Sequence, residues 1–162
     1  MTTETQQTVE FAVPHPPNAL RPNRRAAHWA TRSKAADEYS EEVYAYAMGM
    51  AMGFNFGGVM TSAVYGCKPD GLKLRGGPWK RATVTYTWRY AGVAPDIDNI
   101  AGALKVLQDC LCMAPANGKP GRNRYFLGLI ENDSGIEATF KREKVAHKDQ
   151  QCVLVQITKR ED

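Results

Sequence analysis

Hydrophobic and polar residues alternate most clearly in the segment ATVTYTWRY, which covers Ala82–Tyr90. Successive side chains of a β-strand point to opposite faces of a sheet, so this alternation predicts a strand with one buried face. The residues expected on that face are Ala82, Val84, Tyr86 and Trp88. Shorter apolar runs predict a first strand at residues 9–13 and an antiparallel hairpin formed by residues 136–145 and 151–158.

Two other segments repeat their hydrophobic residues at helical spacing. In the first helix the expected buried face consists of Tyr39, Val43, Tyr46 and Met50. Ser33 is the residue expected at the N-terminal cap of that helix. In the second helix the expected buried face consists of Ile100, Leu104, Leu107 and Leu111.

The predicted elements follow the order strand, helix, strand, helix and terminal strand pair. This order indicates an α+β (mixed α/β) fold in which helices pack on one small mixed sheet. A further apolar run covers residues 125–130, and the glycine-rich residues 54–79 are interpreted as a long loop or insertion. A length of 162 residues with 43% hydrophobic residues suits a single domain, residues 1–162, with its own core.

The composition indicates neither a membrane span nor a secreted protein. The chain has no run of about 18 apolar residues, and its first residues, MTTETQQT, lack the basic and apolar regions of a signal peptide. We therefore expect a cytoplasmic protein, and an origin in a phage or prophage would fit its small size. The four cysteines lack zinc-site spacing and are expected to be free thiols; they are Cys67, Cys110, Cys112 and Cys152.

Positive charge is concentrated in segments that contain few acids. The net charge is only +4, but residues 18–34 contain five basic residues and no acid, and residues 68–89 contain six basic residues and one acid, Asp70. Such clusters are compatible with an ordinary solvated surface or with loops that bind a polyanion. Charge alone therefore leaves both interpretations open.

The stretch APDIDNIAGALKVLQD places Asp96 and Asp98 two residues apart. In extended backbone such residues point the same way, so both carboxylates can reach one cation. Asp133 in GLIENDSGI is a third candidate, and three carboxylates suit Mg²⁺ or Mn²⁺. Purely structural roles in a helix cap or a turn also stay open for each. A calcium-binding EF-hand is excluded, since its required glycine and glutamate positions hold Ala101 and Leu107.

Three motifs, in order, resemble the RusA-type Holliday-junction resolvases, which are endonucleases that nick four-way DNA junctions in recombination and repair. The family's opening strand and proline-rich loop resemble VEFAVPHPPNALRPN. Its D-hydrophobic-D-N segment, which enters a helix with a K-x-x-x-D-x-L pattern, resembles residues 96–99 followed by Lys105, Asp109 and Leu111. Its acidic turn of the form D-D-x-x-V/I resembles residues 132–136.

The resemblance implies a magnesium-dependent endodeoxyribonuclease that acts as a homodimer on branched DNA, with Mn²⁺ as a substitute metal. It implies that Asp96, Asp98 and Asp133 hold the metal. It also implies that a helix lysine, here Lys105, is needed for cleavage by holding the phosphate or stabilising the developing charge. No membrane partner is expected.

The resemblance also implies that the basic residues bind DNA, which is a polyanion. The residues expected to bind DNA are Arg21, Arg24, Arg25, Arg32, Lys34 and Asn99. For Asn99, hydrogen bonding at the helix start is an equally good interpretation. Trp29 is interpreted as a packing residue, with stacking on a splayed DNA base as the alternative.

Two positions depart from the family pattern. The family's lysine usually stands four residues after the second aspartate, where this chain has Gly102, and Lys105 comes three residues later. Asn132 stands where many members carry an acid, so the site loses a charge. These departures leave two other functions open: a branched-DNA binding module with impaired catalysis, and a broader nuclease that also cuts flaps or forks.

Overall fold

The computed structural model describes residues 7–22, 28–51, 64–68, 71–74, 77–115 and 125–161, with the backbone alone described in 64–68 and 71–74. Its strands are β1 (Thr8–Val13), β2 (Val64–Lys68), β3 (Gly71–Leu74), β4 (Ala82–Tyr90), β5 (Ile136–Lys144) and β6 (Cys152–Lys159). Its helices are α1 (Trp29–Ala51), α2 (Ile97–Ala103) and α3 (Lys105–Leu111). Short 3₁₀ turns cover Asn18–Leu20, Asp133–Gly135 and Lys148–Gln150.

The main sheet is mixed and has the strand order β1-β6-β4-β5. β6 is antiparallel to both of its neighbours, whereas β4 and β5 are parallel. Together with the helices this is the predicted α+β fold. The predicted hairpin of residues 136–145 and 151–158 is wrong in its pairing, although both strands exist, because β4 lies between them.

The parallel pairing follows from the connection between β4 and β5. The chain leaves β4, passes through α2 and α3, and enters β5, which makes a β-α-β unit with parallel strands. β5 therefore occupies one side of β4, and the other side is left to β6. The 3₁₀ turn Lys148–Gln150 lies near β4 on the path from β5 to β6.

One face of the sheet is buried and the other is open. The buried face of β4 is the predicted one, since Ala82, Val84, Tyr86 and Trp88 are all buried. It continues into the neighbouring strands through Phe11 and Val155, and it joins one hydrophobic core with residues of the three helices. The opposite face carries polar residues that are half-buried or exposed, namely Thr83, Thr85, Thr87, Thr139 and Gln156. The molecule therefore has two layers in the region that positions the site.

The first predicted helix is confirmed, with two corrections. α1 begins at Trp29, so Ser33 lies inside the helix and cannot cap it. Tyr39, Val43 and Met50 are buried as predicted, but Tyr46 is 36% exposed and lies at the margin of the buried face. Tyr39 also donates a hydrogen bond from its hydroxyl to Pro14 O at 2.8 Å, which ties α1 to the end of β1.

The second predicted helix is divided at Leu104, whose backbone (φ −89°, ψ 4°) leaves the helical region between α2 and α3. The hydrogen bonds Leu104 N to Ile100 O and Gln108 N to Leu104 O, both 3.0 Å, still cross the break. The two short helices therefore follow one another closely. The predicted buried face is confirmed, since Ile100, Leu104, Leu107 and Leu111 are at most 1% exposed.

The structure describes part of the glycine-rich segment, residues 54–79, and all of the apolar run, residues 125–130. Within residues 54–79, β2 and β3 form a separate antiparallel pair near α1, and residues 54–63, 69–70 and 75–76 lie outside the described residues. The apolar run at residues 125–130 is not one of the described strands, but Ile130 forms isolated bridges with Trp79 and Cys112. No helix in the described ranges is long and apolar enough to cross a membrane.

Candidate metal and DNA-binding site

The two aspartates of the D-x-D-N segment lie at the start of α2, beyond the end of β4. Asp96 occupies the cap position, with extended backbone (φ −67°, ψ 147°), and its side chain makes no capping bond. Asp98 lies in the first turn of α2. Both side chains are exposed, and neither carboxylate has a hydrogen bond or ion pair within the described part of the chain. Two free carboxylates at a helix start can therefore accept a cation.

An arginine of β5 supports the loop that carries these aspartates. Arg142 donates a hydrogen bond from Nη1 to Pro95 O at 3.2 Å. In the strand pairing Arg142 stands opposite Trp88, near the C-terminal end of β4. It therefore places a guanidinium group beside the D-x-D-N segment. The amino-acid sequence alone does not indicate this role for Arg142, because only the parallel pairing of β4 with β5 brings it there.

Asp133 lies at the other end of the β4–β5 pair. It begins the 3₁₀ turn before β5, and Ile136, the first residue of β5, pairs with Ala82, the first residue of β4. Asp96 and Asp98 instead follow the last residue of β4. A strand advances about 3.3 Å per residue, so a separation on the order of 20 Å is expected between Asp133 and the other two.

The structure therefore does not bring the three aspartates together in one chain. Among the described residues no group of three or more His, Cys, Asp or Glu side chains could hold a metal ion. The physical reason is that α2 and α3 cross the sheet lengthwise between the D-x-D-N segment and the turn of Asp133. A metal role for Asp96, Asp98 and Asp133 stays a prediction, and the convergence expected for them is not seen within a single chain.

Lys105, the first residue of α3, belongs to a second charged group together with Asp109. Its Nζ is 3.6 Å from Asp109 Oδ1, one turn later on the same helix. The pKa of the nearby Cys112 thiol is raised to about 11, chiefly by burial and also by the charges of Asp133 and Asp109, while the charge of Lys105 opposes them. Lys105 thus extends toward Asp109 and away from the D-x-D-N segment. The described chain does not place it at that segment.

The structure gives a reason for the first departure from the family pattern. A Cβ atom on Gly102 would lie 2.6 Å from Pro22 Cγ and 3.1 Å from Pro22 Cδ. The loop that follows β1 therefore packs directly against α2 at this point. A lysine at position 102 would collide with the proline, so the close packing of loop and helix requires glycine.

Asn132, the second departure, has a structural role. Its Oδ1 accepts a hydrogen bond from Ser134 N at 3.1 Å and a short one from Ser134 Oγ, which caps the 3₁₀ turn Asp133–Gly135. An asparagine is well suited to this position, because its amide oxygen satisfies a free backbone N–H at the start of the turn. The same bonds direct that oxygen toward Ser134.

Arg21 is part of a packed stack. Its guanidinium carbon lies 5.6 Å from the centre of the Trp88 ring, close enough for a cation–π interaction. His15 also stacks on Trp88, with ring centroids 4.2 Å apart, and Nε2 donates to Arg89 O at 2.8 Å. Burial is the main cause that lowers the pKa of His15, and the positive charge of Arg21 adds to it. Arg21 thus helps to hold the loop against β4, near the D-x-D-N segment.

The other predicted DNA-binding residues differ in their surroundings. Arg32 and Lys34 are exposed in the first turns of α1, where Lys34 Nζ is 3.8 Å from Glu38 Oε1. Arg24 and Arg25 lie outside the described residues. Asn99 is half-buried in α2, and in the described part of the chain its side chain has no hydrogen bond, so the alternative interpretation, a helix-start hydrogen bond, is not seen.

Trp29 corrects another expectation. It is 77% exposed at the start of α1, so the interpretation of this residue as a packing tryptophan is wrong. The His28 ring lies beside it at a centroid distance of 5.5 Å. Together with Arg32 these residues present aromatic and cationic groups to solvent. This composition is compatible with the alternative of stacking on a nucleic-acid base.

Comparisons of this chain with protein-family models, with curated proteins and with solved structures gave no match.

Proposed function

We propose that this protein is a metal-dependent endonuclease that nicks branched DNA, with four-way junctions as its preferred substrate. The proposal depends chiefly on one observation: Asp96 and Asp98 are exposed and unpaired at the start of α2, within the described part of the chain. Exposed carboxylates without partners are suited to a cation that also binds the substrate. The motif resemblance supplies the substrate class.

The donor set at this position fits Mg²⁺ or Mn²⁺. Mg²⁺ usually keeps several waters and is held by one or two carboxylates together with substrate phosphates. Asp96 and Asp98 would hold it, and a third carboxylate of the same chain is not required. When bound, such an ion lowers the pKa of a water and neutralises charge on the phosphate oxygens.

The surrounding residues supply the positioning. Arg142 donates a hydrogen bond from Nη1 to Pro95 O. The remaining N–H donors of its guanidinium group are suited to bind a DNA phosphate. Asn99 directly follows Asp98 in the first turn of α2 and would contact the DNA backbone. Arg32, Lys34 and the loop of Arg21 would hold phosphates farther along the arms, without reading sequence.

A homodimer is part of the proposal. A four-way junction offers two equivalent strands to cut, and two copies related by a two-fold axis present two equivalent sites. Each copy contributes its own Asp96 and Asp98. Binding should weaken steeply with salt, because each neutralised phosphate releases condensed counterions.

A branched-DNA binding module is the second candidate, and a specific observation favours it. Asp133 and Lys105 lie away from the D-x-D-N segment, so the single chain assembles only part of the predicted catalytic set. DNA binding by the basic residues and by the exposed Trp29 would not require that catalytic set. A protein with these features could bind junctions without cutting them.

The test compares cleavage and binding of a four-way junction by the wild type and by Asp98→Asn, with Mg²⁺ or Mn²⁺. Asp149→Asn is a matched control, because it removes an exposed carboxylate in the turn Lys148–Gln150. We expect Asp98→Asn to lose cleavage by about 100-fold or more while still binding, since metal-ion catalysis contributes several kcal/mol. The control should cut normally.

The other outcomes distinguish the alternatives. A wild type that binds the junction but never cuts it with either metal would establish the binding module and refute the nuclease. Equal cleavage of junctions, flaps and forks would support the broader nuclease. Cleavage by Asp98→Asn at the wild-type rate would show that Asp98 is not part of the catalytic site.

A further inference from the structure

β5 is an edge strand with an uncovered backbone. It is the last strand in the order β1-β6-β4-β5, so one side of it has no strand partner among the described residues. Its nine residues contain no proline or glycine, and its pairing with β4 shows no bulge. Proline and bulges are two of the features by which natural edge strands avoid pairing with another chain. β5 therefore retains a regular row of free backbone groups.

The apolar face of the sheet continues onto β5 but is only partly covered there. Tyr86 on β4 is fully buried, whereas Phe140, which stacks on it at a centroid distance of 5.4 Å, is only half-buried. Ala138 lies on the same face and is exposed, and Ile136 is half-buried. The helices thus leave part of this face uncovered. A further strand beside β5 would cover it.

We propose that β5 pairs with β5 of a second copy of this chain, antiparallel and about a two-fold axis through Thr139. A two-fold axis that relates antiparallel neighbours is perpendicular to the sheet, so each face continues into the same face of the other copy. Side chains directly opposite each other in a sheet share a face, whereas neighbouring residues of one strand point to opposite faces. A residue of β5 therefore cannot stand opposite its own neighbour in the other copy, and the axis must pass through a residue that stands opposite itself. This condition leaves only a few registers.

The charges select one of these registers. With Thr139 at the centre, Glu137 stands opposite Lys141 twice and Ala138 opposite Phe140 twice, while the two threonines form a central pair. A centre at Phe140 would instead place Glu137 opposite Glu143. Opposite charges and threonine pairs are favourable, whereas the one Phe140 pair that a centre at Phe140 would gain comes with two destabilising Glu137–Glu143 like-charge pairs.

The remaining centres are poorer. A centre at Lys141 would place this lysine opposite itself, and a centre at Ala138 would pair only Ile136–Phe140 of each copy and leave Lys141–Lys144 unpaired. In the chosen register Lys141 gains a carboxylate partner that it lacks among the described residues of one chain. Glu137 already contacts Arg160 and would join a wider ion-pair network.

The pairing explains both exposed features of β5 at once. It would join two four-stranded sheets into one continuous sheet, fill the free backbone side of both edges and cover Ala138 and Phe140. Main-chain hydrogen bonds supply the affinity in such edge pairing, and side chains supply the specificity. The inference names the surface and register of a dimer, and it does not rest on nuclease activity, because it is tested by molecular mass.

Charge reversal provides the first test, in sedimentation experiments on the full chain. The wild type should be a dimer, and Lys141→Glu or Glu137→Lys should each weaken the dimer at least about tenfold, because each creates two like-charge pairs. The double variant E137K/K141E should recover the wild-type dissociation constant. Lys148→Glu, which changes the same charge outside β5, should have little effect.

Disulfide cross-linking tests the register. Opposed Cβ atoms in antiparallel strands are about 4.5–5.5 Å apart, so Thr139→Cys should form a covalent dimer under mild oxidation. Lys141→Cys should not, since it faces position 137 of the other copy. The wild type under the same conditions controls for the native cysteines. A monomeric wild type at high micromolar concentration, or a dimer insensitive to Lys141→Glu that Thr139→Cys does not cross-link, would overturn the proposal.

Discussion

Replacing Gly135 by alanine should destabilise the protein at the point where β5 begins. A Cβ atom at this position would lie 2.0 Å from Lys80 O and 3.1 Å from the carbonyl carbon of Lys80. Both are backbone atoms, so a change of side-chain rotamer cannot relieve the contact. Carbon and oxygen in good contact are roughly 3.5 Å apart, so the turn Asp133–Gly135 and the segment before β4 must separate by about 1 Å or more.

The magnitude follows from two opposing effects. Overpacking a close contact typically costs about 1–3 kcal/mol of unfolding free energy. Replacing glycine by alanine also reduces the freedom of the unfolded chain, which offsets about 0.4–1 kcal/mol. A net loss of about 1–2 kcal/mol is expected, and in a domain of this size it lowers Tm by roughly 2–8 °C.

The assay is thermal and urea unfolding followed by circular dichroism, with Gly92→Ala as the control. A Cβ atom on Gly92 meets nothing within 4 Å, so this variant shares the effect on the unfolded chain without the collision. It should be as stable as the wild type or up to about 1 kcal/mol more stable. If Gly135→Ala proved as stable as Gly92→Ala, the close approach of this turn to Lys80 would be refuted.

Three further outcomes are expected. Gly102→Lys should unfold at a lower urea concentration than the wild type. Overpacking against Pro22 costs about 1–3 kcal/mol, whereas the higher helix propensity of lysine stabilises α2 by only about 1 kcal/mol. An unchanged urea midpoint would contradict this packing. Because burial lowers the pKa of His15, the unfolded chain binds the extra proton, and wild-type stability should fall as pH drops below about 6.5. His15→Phe keeps a ring on Trp88 but cannot take up that proton, so its stability should fall less over this range, and equal slopes would argue against a buried histidine. Arg32→Ala should reduce the slope of log binding constant against log salt by about one for junction DNA, and an unchanged slope would mean that Arg32 contacts no phosphate.

The buried residues of the regular elements could be predicted because the signal for them is local. Tyr86 and Trp88 follow from a period of two along one strand, and Leu107 and Leu111 from helical spacing. Tyr46 fits the same helical pattern, yet it lies at the margin of the face that α1 buries. Periodicity gives the direction of a buried face but not how far the neighbouring elements extend over it.

The pairing of strands could not be predicted in the same way. β5 and β6 follow each other along the chain, and a hairpin was the simplest arrangement of two neighbouring strands. The connection through α2 and α3 instead places β5 parallel to β4. This one difference decides where Asp133 lies relative to Asp98, because it places the start of β5 at the start of β4. A candidate site built from distant segments therefore depends on topology.

Close contacts also explain positions that a motif comparison registers only as departures. Gly102 and Asn132 depart from the family pattern, yet Gly102 makes room for Pro22 and Asn132 caps a turn. Neither role is visible without the neighbouring element. Arg142 was missed for the same reason, since its contact with Pro95 joins two segments that are far apart along the chain.

The most direct test of the proposed function is an anomalous-scattering map from crystals of the full chain grown with junction DNA and Mn²⁺. The proposal predicts one strong manganese peak in each chain of the dimer, coordinated by carboxylate oxygens of both Asp96 and Asp98 and by a DNA phosphate. A peak that contacts neither aspartate, or no peak on DNA-bound protein, would contradict the claim that these two carboxylates hold the metal.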